Sequence, residues 1–304
     1  MKITTRPSTL APLASIAAFV LLCAAPQAEA GTAINKRVAV LPGGSVEISN
    51  TAGQVTVTGW DRNEVEVTGT LGDGSERLEF ATQDKVTRVR VVLPNKSWHV
   101  EDTDLVVKVP AGSGLAVNTT SADIRVRGVR GAQRLQSVSG DVNAEAGAED
   151  VECQTISGDV AVAGSGLKGL LNITTVSGDV MITHVAGELN GNTVSGNFTI
   201  TLGDTARSRL RTTSGDVSMA TQLAADGRLD VESISGDIRL DLTGPVNAAF
   251  DVSSFSGEIR NCFGPKPRRT DEYAPGKELR FAEGPGAARV RIKSMNGDIS
   301  VCRK

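Results

Sequence analysis

The feature that most constrains this chain is a tripeptide that keeps coming back. Ser-Gly-Asp, flanked by apolar residues, recurs as Val138-Ser139-Gly140-Asp141-Val142, Ile156-Ser157-Gly158-Asp159-Val160 and Val176-Ser177-Gly178-Asp179-Val180. Val194-Ser195-Gly196-Asn197-Phe198, Thr213-Ser214-Gly215-Asp216-Val217 and Ile234-Ser235-Gly236-Asp237-Ile238 follow. Phe255-Ser256-Gly257-Glu258-Ile259 and Met295-Asn296-Gly297-Asp298-Ile299 complete the series. Successive glycines lie 18, 20, 18, 19, 21, 21 and 40 residues apart. A degenerate copy, Thr120-Ser121-Ala122-Asp123-Ile124, precedes them, and Asn50-Thr51-Ala52-Gly53-Gln54-Val55 is a weaker one. A fixed period near twenty residues is the signature of a repeat architecture, because hairpins seldom repeat one tripeptide at nearly constant spacing.

Around each glycine the pattern alternates with period two, as strands do. Five residues before it stand Val117, Leu135, Cys153, Ile173, Leu210, Val231, Val252 and Ile292. Three before stands Ser or Thr, and two after is always apolar, from Ile124 and Val142 to Ile259 and Ile299. Each unit therefore reads as a strand, a corner and a second strand. The corner glycines Gly140, Gly158, Gly178, Gly196, Gly215, Gly236, Gly257 and Gly297 supply either a positive φ or a close backbone approach. One such unit cannot bury its inner face, whereas coils stacked at ~4.8 Å pair their backbones and share a core. The expected fold is all-β, a parallel β-solenoid (β-helix or β-roll) of roughly 20-residue coils, with about ten coils forming a rod about 50 Å long. Only 3% of residues are aromatic, which suits a thin core of Val, Ile, Leu, Ala and Thr.

Residues 31–115 alternate less regularly, through Val55-Thr56-Val57, Val65-Glu66-Val67, Val86 to Leu93 and Leu105 to Val109, and read as N-terminal strands and cap. Residues 116–304 read as the repeat solenoid. A Pro-rich excursion at 263–288 holds Pro265, Pro267, Pro275 and Pro285 with Lys266, Arg268 and Arg269, and reads as a solvated loop. Residues 1–30 read as a signal peptide: Lys2 and Arg6, an apolar run from Leu10 to Ala25 too short for a membrane span, then Ala28-Glu29-Ala30. The expected product begins at Gly31 and is periplasmic, surface-bound or secreted. Leu22 before Cys23 disfavours lipidation there. Without Lys2, Arg6 and Glu29 the formal charge passes from −3 to −4, which gives no reason to expect nucleic acid or an anionic membrane as partner.

Val55-Thr56-Val57-Thr58-Gly59-Trp60, Leu105-Val106-Val107-Lys108-Val109-Pro110 and the serial Ser-Gly-Asp copies together resemble the bacterial putative-adhesin family, a domain of unknown function with Ser-Gly-Asp β-strand repeats. The resemblance implies an exported β-solenoid with an adhesive role, and brings no catalytic residues.

The residue after each corner is acidic in Asp123, Asp141, Asp159, Asp179, Asp216, Asp237, Glu258 and Asp298, with Asn197 interrupting. Stacking would set these carboxylates about 5 Å apart, repelling by roughly 0.9 kcal/mol per pair in water. Either turn N–H groups offset this, or a cation such as Ca²⁺ sits on Asp141, Asp159, Asp179, Asp216 and Asp237. Cys262 and Cys302 each lie five residues after their glycine, so they share a column, and an oxidising compartment favours a disulfide that would clamp the C-terminal coil. Cys153 reads as a buried thiol. His99 and His184, the latter just past a strand, have no zinc spacing, and no G-x-S-x-G or P-loop motif is present. Trp60, Trp98 and Tyr273 are too few for a sugar platform.

The expected function is an exported, non-enzymatic envelope or surface protein, adhesive or scaffolding, that meets a protein or glycan through a polar β-face carrying Gln136, Gln154, Thr174, Asn192, Arg211, Glu232 and Ser253. No cofactor is expected beyond the Ca²⁺ alternative. A periplasmic regulatory accessory of envelope stress is the second reading. A carbohydrate-active β-helix enzyme is disfavoured, because such chemistry needs a localised carboxylate pair rather than a repeated column.

Overall fold

A computed structural model describes residues 31–94, 100–164 and 168–304. The leader with Cys23, and Trp98 and His99, lie outside the described residues. Among the described residues every regular element is a β-strand, and no helix is long and apolar enough to cross a membrane.

The fold is all-β and solenoid-like. Strand Gln133–Ser137 pairs in parallel with Gly114–Arg127 on one side and Val151–Thr155 on the other, setting Leu135 between Val117 and Cys153. Cys153 meets Ile173 in the next level. After the corner the same offset recurs, with Val142 between Ile124 and Val160 and Val180 beyond. Inward side chains of both strands form one continuous core of Val, Ile and Leu. Alternation sets the burial: Val142–Ala146 runs buried, exposed, buried, exposed, buried, as period-two side chains on a half-buried strand must.

One level departs from the pattern and is compensated. Gly191 takes the inward position that Ile173 and Leu210 fill above and below. Phe198 replaces the usual Val or Ile two residues after the corner, and its ring sits where a Cβ on Gly191 would go. Phe198 is fully buried, so volume removed from one strand returns from the other.

The stacking order differs from the sequence order at both ends. Strand Ala288–Asn296 pairs in parallel with both Val217–Ser235 and Ala248–Ser254. Strand Ile299–Arg303 pairs with both Ile238–Leu242 and Ile259–Asn261. The last coil is thus inserted one level inward, and Gly297 stacks between Gly236 and Gly257. The N-terminal part mirrors this. Strand Ser45–Trp60 lies between Gly114–Arg127 and the pair Val86–Val92 and Thr103–Pro110. Its Gly53 pairs with Ala122, placing both degenerate corners in the same file.

Antiparallel strands cover the ends. Arg77–Gln83 lies on Val86–Val92, Glu64–Leu71 on Thr103–Pro110, and Thr32–Ala39 on Glu64–Leu71. At the other end Lys277–Glu283 lies on Ala248–Ser254 and carries the short strand Arg268–Arg269. The segment 263–288, expected as a loop, therefore includes a capping hairpin. Phe250 and Phe281 stack there at 4.4 Å, with Phe263 at 5.5 Å from Phe250. Trp60 packs at the opposite end, its indole N–H donating to Glu64 O at 2.8 Å. His184, expected past a strand, sits inside Val180–Thr193 at a register irregularity, with φ of 56°.

Cys262 and Cys302 form a disulfide with Cα atoms 4.8 Å apart. It ties the C-terminal coil, which is inserted one level inward, to the outermost parallel level, the one that carries Cys262.

Candidate functional site

The corners repeat regularly along the stack, and three interactions recur among them. The hydroxyl three residues before the glycine turns inward and accepts the glycine N–H: Ser137 from Gly140 at 2.8 Å, Thr155 from Gly158 at 2.9 Å, Thr175 from Gly178 at 3.1 Å and Ser254 from Gly257 at 2.9 Å. This is a local side-chain turn, made at these four corners, while Thr193, Thr212, Ser233 and Ser294 are buried at the same position with no hydrogen-bond partner for the hydroxyl among the described residues.

The glycine itself is needed for close approach. A Cβ on Gly158 would lie 2.1 Å from Gly140 O, and on Gly178 2.0 Å from Gly158 O. Of the eight corner glycines only Gly236, at 152°, has φ in the left-handed region. Of the two reasons for glycine given above, backbone proximity is therefore the general one.

The acidic residue then links the levels. Asp141 Oδ1 accepts the N–H of Asp159 at 2.9 Å, Asp159 that of Asp179 at 2.8 Å, and Asp179 that of Asn197 at 2.9 Å. Asn197 Oδ1 accepts from Asp216 at 2.9 Å, Asp216 from Asp237 at 2.8 Å, and Asp237 from Asp298 at 2.8 Å. Asp298 accepts from Glu258 at 2.8 Å. The turn-stabilising alternative for these carboxylates thus has direct geometry. Among the described residues no three His, Cys, Asp or Glu side chains form a metal-binding group. Asp123 pairs with Arg125 at 3.9 Å and Glu258 with Lys277. Asp141, Asp159, Asp179, Asp216, Asp237 and Asp298 have no cationic side chain in ion-pair range among the described residues.

Sequence reasoning missed the file beside them. The residue two before the glycine is apolar at every corner but that of Gly215, yet alternation from the inward position three before turns it outward. Val138, Ile156, Val176, Val194, Ile234, Met295 and Phe255 are each 41 to 56% exposed. Their neighbours' backbone bonds set them level above level: Ser157 N–H donates to Val138 O, Ser177 to Ile156 O, Ser195 to Val176 O and Ser256 to Met295 O. Thr213 fills the remaining place. A repeated apolar residue at an outward parity was the available signal.

The remaining candidates do not join this site. Cys153 is wholly buried, and burial, with a smaller effect of Glu152, pushes its thiol up to about 12. Tyr273 is 91% exposed, and Arg268 and Arg269 are in the capping hairpin. Far from the corners, Glu66 accepts from both Lys108 and Arg37, and these bonds hold its carboxyl below the usual range.

Solved structures that align with this chain do so at low identity. A putative lipid binding protein from Parabacteroides distasonis ATCC 8503 aligns at 11% identity with a TM-score of 0.48, over 89% of this chain and 97% of that one. A putative adhesin from the same organism aligns at 13% and 0.44, over 89% and 98%. A putative adhesin from Bacteroides fragilis NCTC 9343 aligns at 10% and 0.36, over 88% and 96%. No curated protein matches the chain. The family model Toastrack DUF4097 matches residues 44–302. That match spans well over half of the sequence, and the chain belongs to the Toastrack DUF4097 family.

Proposed function

We propose that this protein is an exported, non-enzymatic component of the cell envelope or surface, an adhesive scaffold built as a parallel β-solenoid of roughly twenty-residue coils. The observation that carries the reading is the file of half-exposed apolar side chains, one at each level but that of Thr213, beside a carboxylate row interrupted only by Asn197. Contiguous exposed apolar surface rimmed by polar residues marks interaction sites. The carboxylates serve as rungs between levels rather than as a localised acid and base, so the surface suits binding more than turnover. Export rests on the sequence of residues 1–30, and the oxidised Cys262–Cys302 pair suits that compartment.

Fractionation of the native host with protease accessibility tests location, and a glycan and matrix-protein array tests binding. The expected result is an envelope or surface pool, processed at Gly31, whose array binding falls when Ile156, Val176 and Val194 are changed to Thr. A wholly cytosolic protein, or array binding indifferent to those changes, overturns the proposal.

A further inference from the structure

We infer that the corner file seats a cationic amphipathic α-helix lying along the stack axis, an inference that rests on the binding role proposed above. From Val138 to Phe255 the file makes seven steps, about 34 Å at ~4.8 Å per level. That is the length of a helix of about 22 residues.

Three observations select this partner. The first is that the backbone beside the file is already paired level to level, as in Ser157 to Val138 and Ser177 to Ile156. An added strand therefore finds no open ladder there, while a helix needs only side-chain contact. The second is spacing. An extended strand along the axis presents same-face residues every ~6.7 Å and falls out of phase within two levels. A helical seam presents one apolar residue every 3.5 residues on average, ~5.2 Å, so it drifts by only about 3 Å over the whole file. Side-chain rotamers absorb that.

The third is charge. Along one flank run carboxylates that have no cationic partner among the described residues, each using Oδ1 for a neighbouring N–H. Along the other flank stand Gln136, Gln154, Thr174, Asn192 and Ser253, all uncharged, with Arg211 paired to Glu232 at 3.1 Å and Lys293 at the three levels between Asn192 and Ser253. The matching helix carries Lys or Arg on one side of its apolar seam. The same carboxylates oppose an anionic bilayer, so a protein or peptide helix is favoured over a lipid surface.

The test uses the chain from Gly31 and a designed 22-residue peptide with Leu on the seam and Lys on one flank. Fluorescence anisotropy gives affinity, and circular dichroism reports helix formation on binding. A scrambled peptide of identical composition and a peptide with Glu for Lys are the controls. The seam peptide should bind and become helical, and both controls should bind at least about tenfold more weakly. Ile156→Thr with Val176→Thr should weaken the seam peptide about tenfold; Thr213 shows that the file accepts Thr. Asp159→Asn with Asp179→Asn should weaken it a few-fold and flatten its salt dependence. Equal binding of the scrambled peptide, indifference to the Thr variants, or self-association of the protein through the file overturns the inference. Array binding that still depends on the file would leave the adhesive reading standing when the helix fails. Loss of both would remove that reading as well.

Discussion

Alanine at Gly178 is the sharpest test of why the corner exists. The new Cβ would lie 2.0 Å from Gly158 O and 2.7 Å from its carbon, against the roughly 3.5 Å that such contacts prefer. The obstructing atoms are backbone, so no rotamer relieves the clash. The levels must part locally by about 1 Å or more. Overpacking of this kind costs about 1–3 kcal/mol. Parting also strains the bonds from Asp179 N–H to Asp159 and from Ser177 N–H to Ile156 O, each worth about 1 kcal/mol net. The total is about 3 kcal/mol, a fall in Tm of roughly 6–12 °C for a domain of this size. Thermal melts by far-UV circular dichroism measure it. Gly112→Ala is the control: no atom lies within 4 Å of its added Cβ and its φ is not left-handed, so its melt should move by less than about 0.5 kcal/mol. Gly178→Asn separates the mechanisms, since Asn tolerates a left-handed φ but brings its own Cβ. Close approach predicts Asn at least as harmful as Ala. A melt for Gly178→Ala within a degree or so of the parent, or clear rescue by Asn, refutes the reasoning.

Other consequences follow from the same geometry. Asp159→Ala should lose about 1 kcal/mol with its accepted N–H, while Asp159→Asn should be neutral or slightly stabilising, because Asn197 already serves as such a rung; equal melts for the two would sink the ladder account. Adding Ca²⁺ and then chelator should leave the parent midpoint unchanged, and a chelator-reversible rise would revive the cation alternative. Cys262→Ser with Cys302→Ser should cost about 4 kcal/mol by loop entropy for a 40-residue separation, read by denaturant unfolding of unreduced protein. Thiol labelling of the chain from Gly31 should find no reactive cysteine when native and one when denatured, since burial holds Cys153 protonated. Glu66 has a folded-state pKa lowered first by Lys108 and then by Arg37. Its contribution is present above the ordinary carboxylate pKa and is lost as pH falls through the lower folded value. Glu66→Gln should therefore destabilise at neutral pH and show a shallower acid limb; an unchanged limb would contradict this.

The central levels were legible because their cause is local. Alternation around Leu135, Cys153 and Val142, the Ser or Thr before each glycine and the shared position of Cys262 and Cys302 all follow from one corner repeating. The order of levels was not legible. A coil bearing Gly297 has the same register whether it stacks inside or outside the coil bearing Gly257, and both orders make the two cysteines neighbours. Only the antiparallel strand Lys277–Glu283 decides it, because it needs the open edge of Ala248–Ser254. That strand was hidden by the prolines around it, which signal a loop while sparing the strand itself. The outward apolar file was readable from parity, but the eye goes to Ser-Gly-Asp and treats the residue before it as part of the motif.

The inserted coils bear on how the ends of the stack resist fraying and further growth. In a simple stack the terminal coil has one interface and frays first, because stability is a sum over neighbouring levels. Here strands Ser45–Trp60 and Ala288–Asn296 each have a parallel neighbour on both sides, so opening either coil must break two ladders. The levels outside them are closed by antiparallel strands, with Lys36 and Arg37 on Thr32–Ala39 and with Arg268–Arg269 at the other end. Charged, short or antiparallel edges disfavour further parallel stacking. End-to-end growth is thus opposed by the same features that stop fraying. The binding role proposed above then falls to the flanks of the stack, where the corner file offers a regular step instead of an open backbone edge.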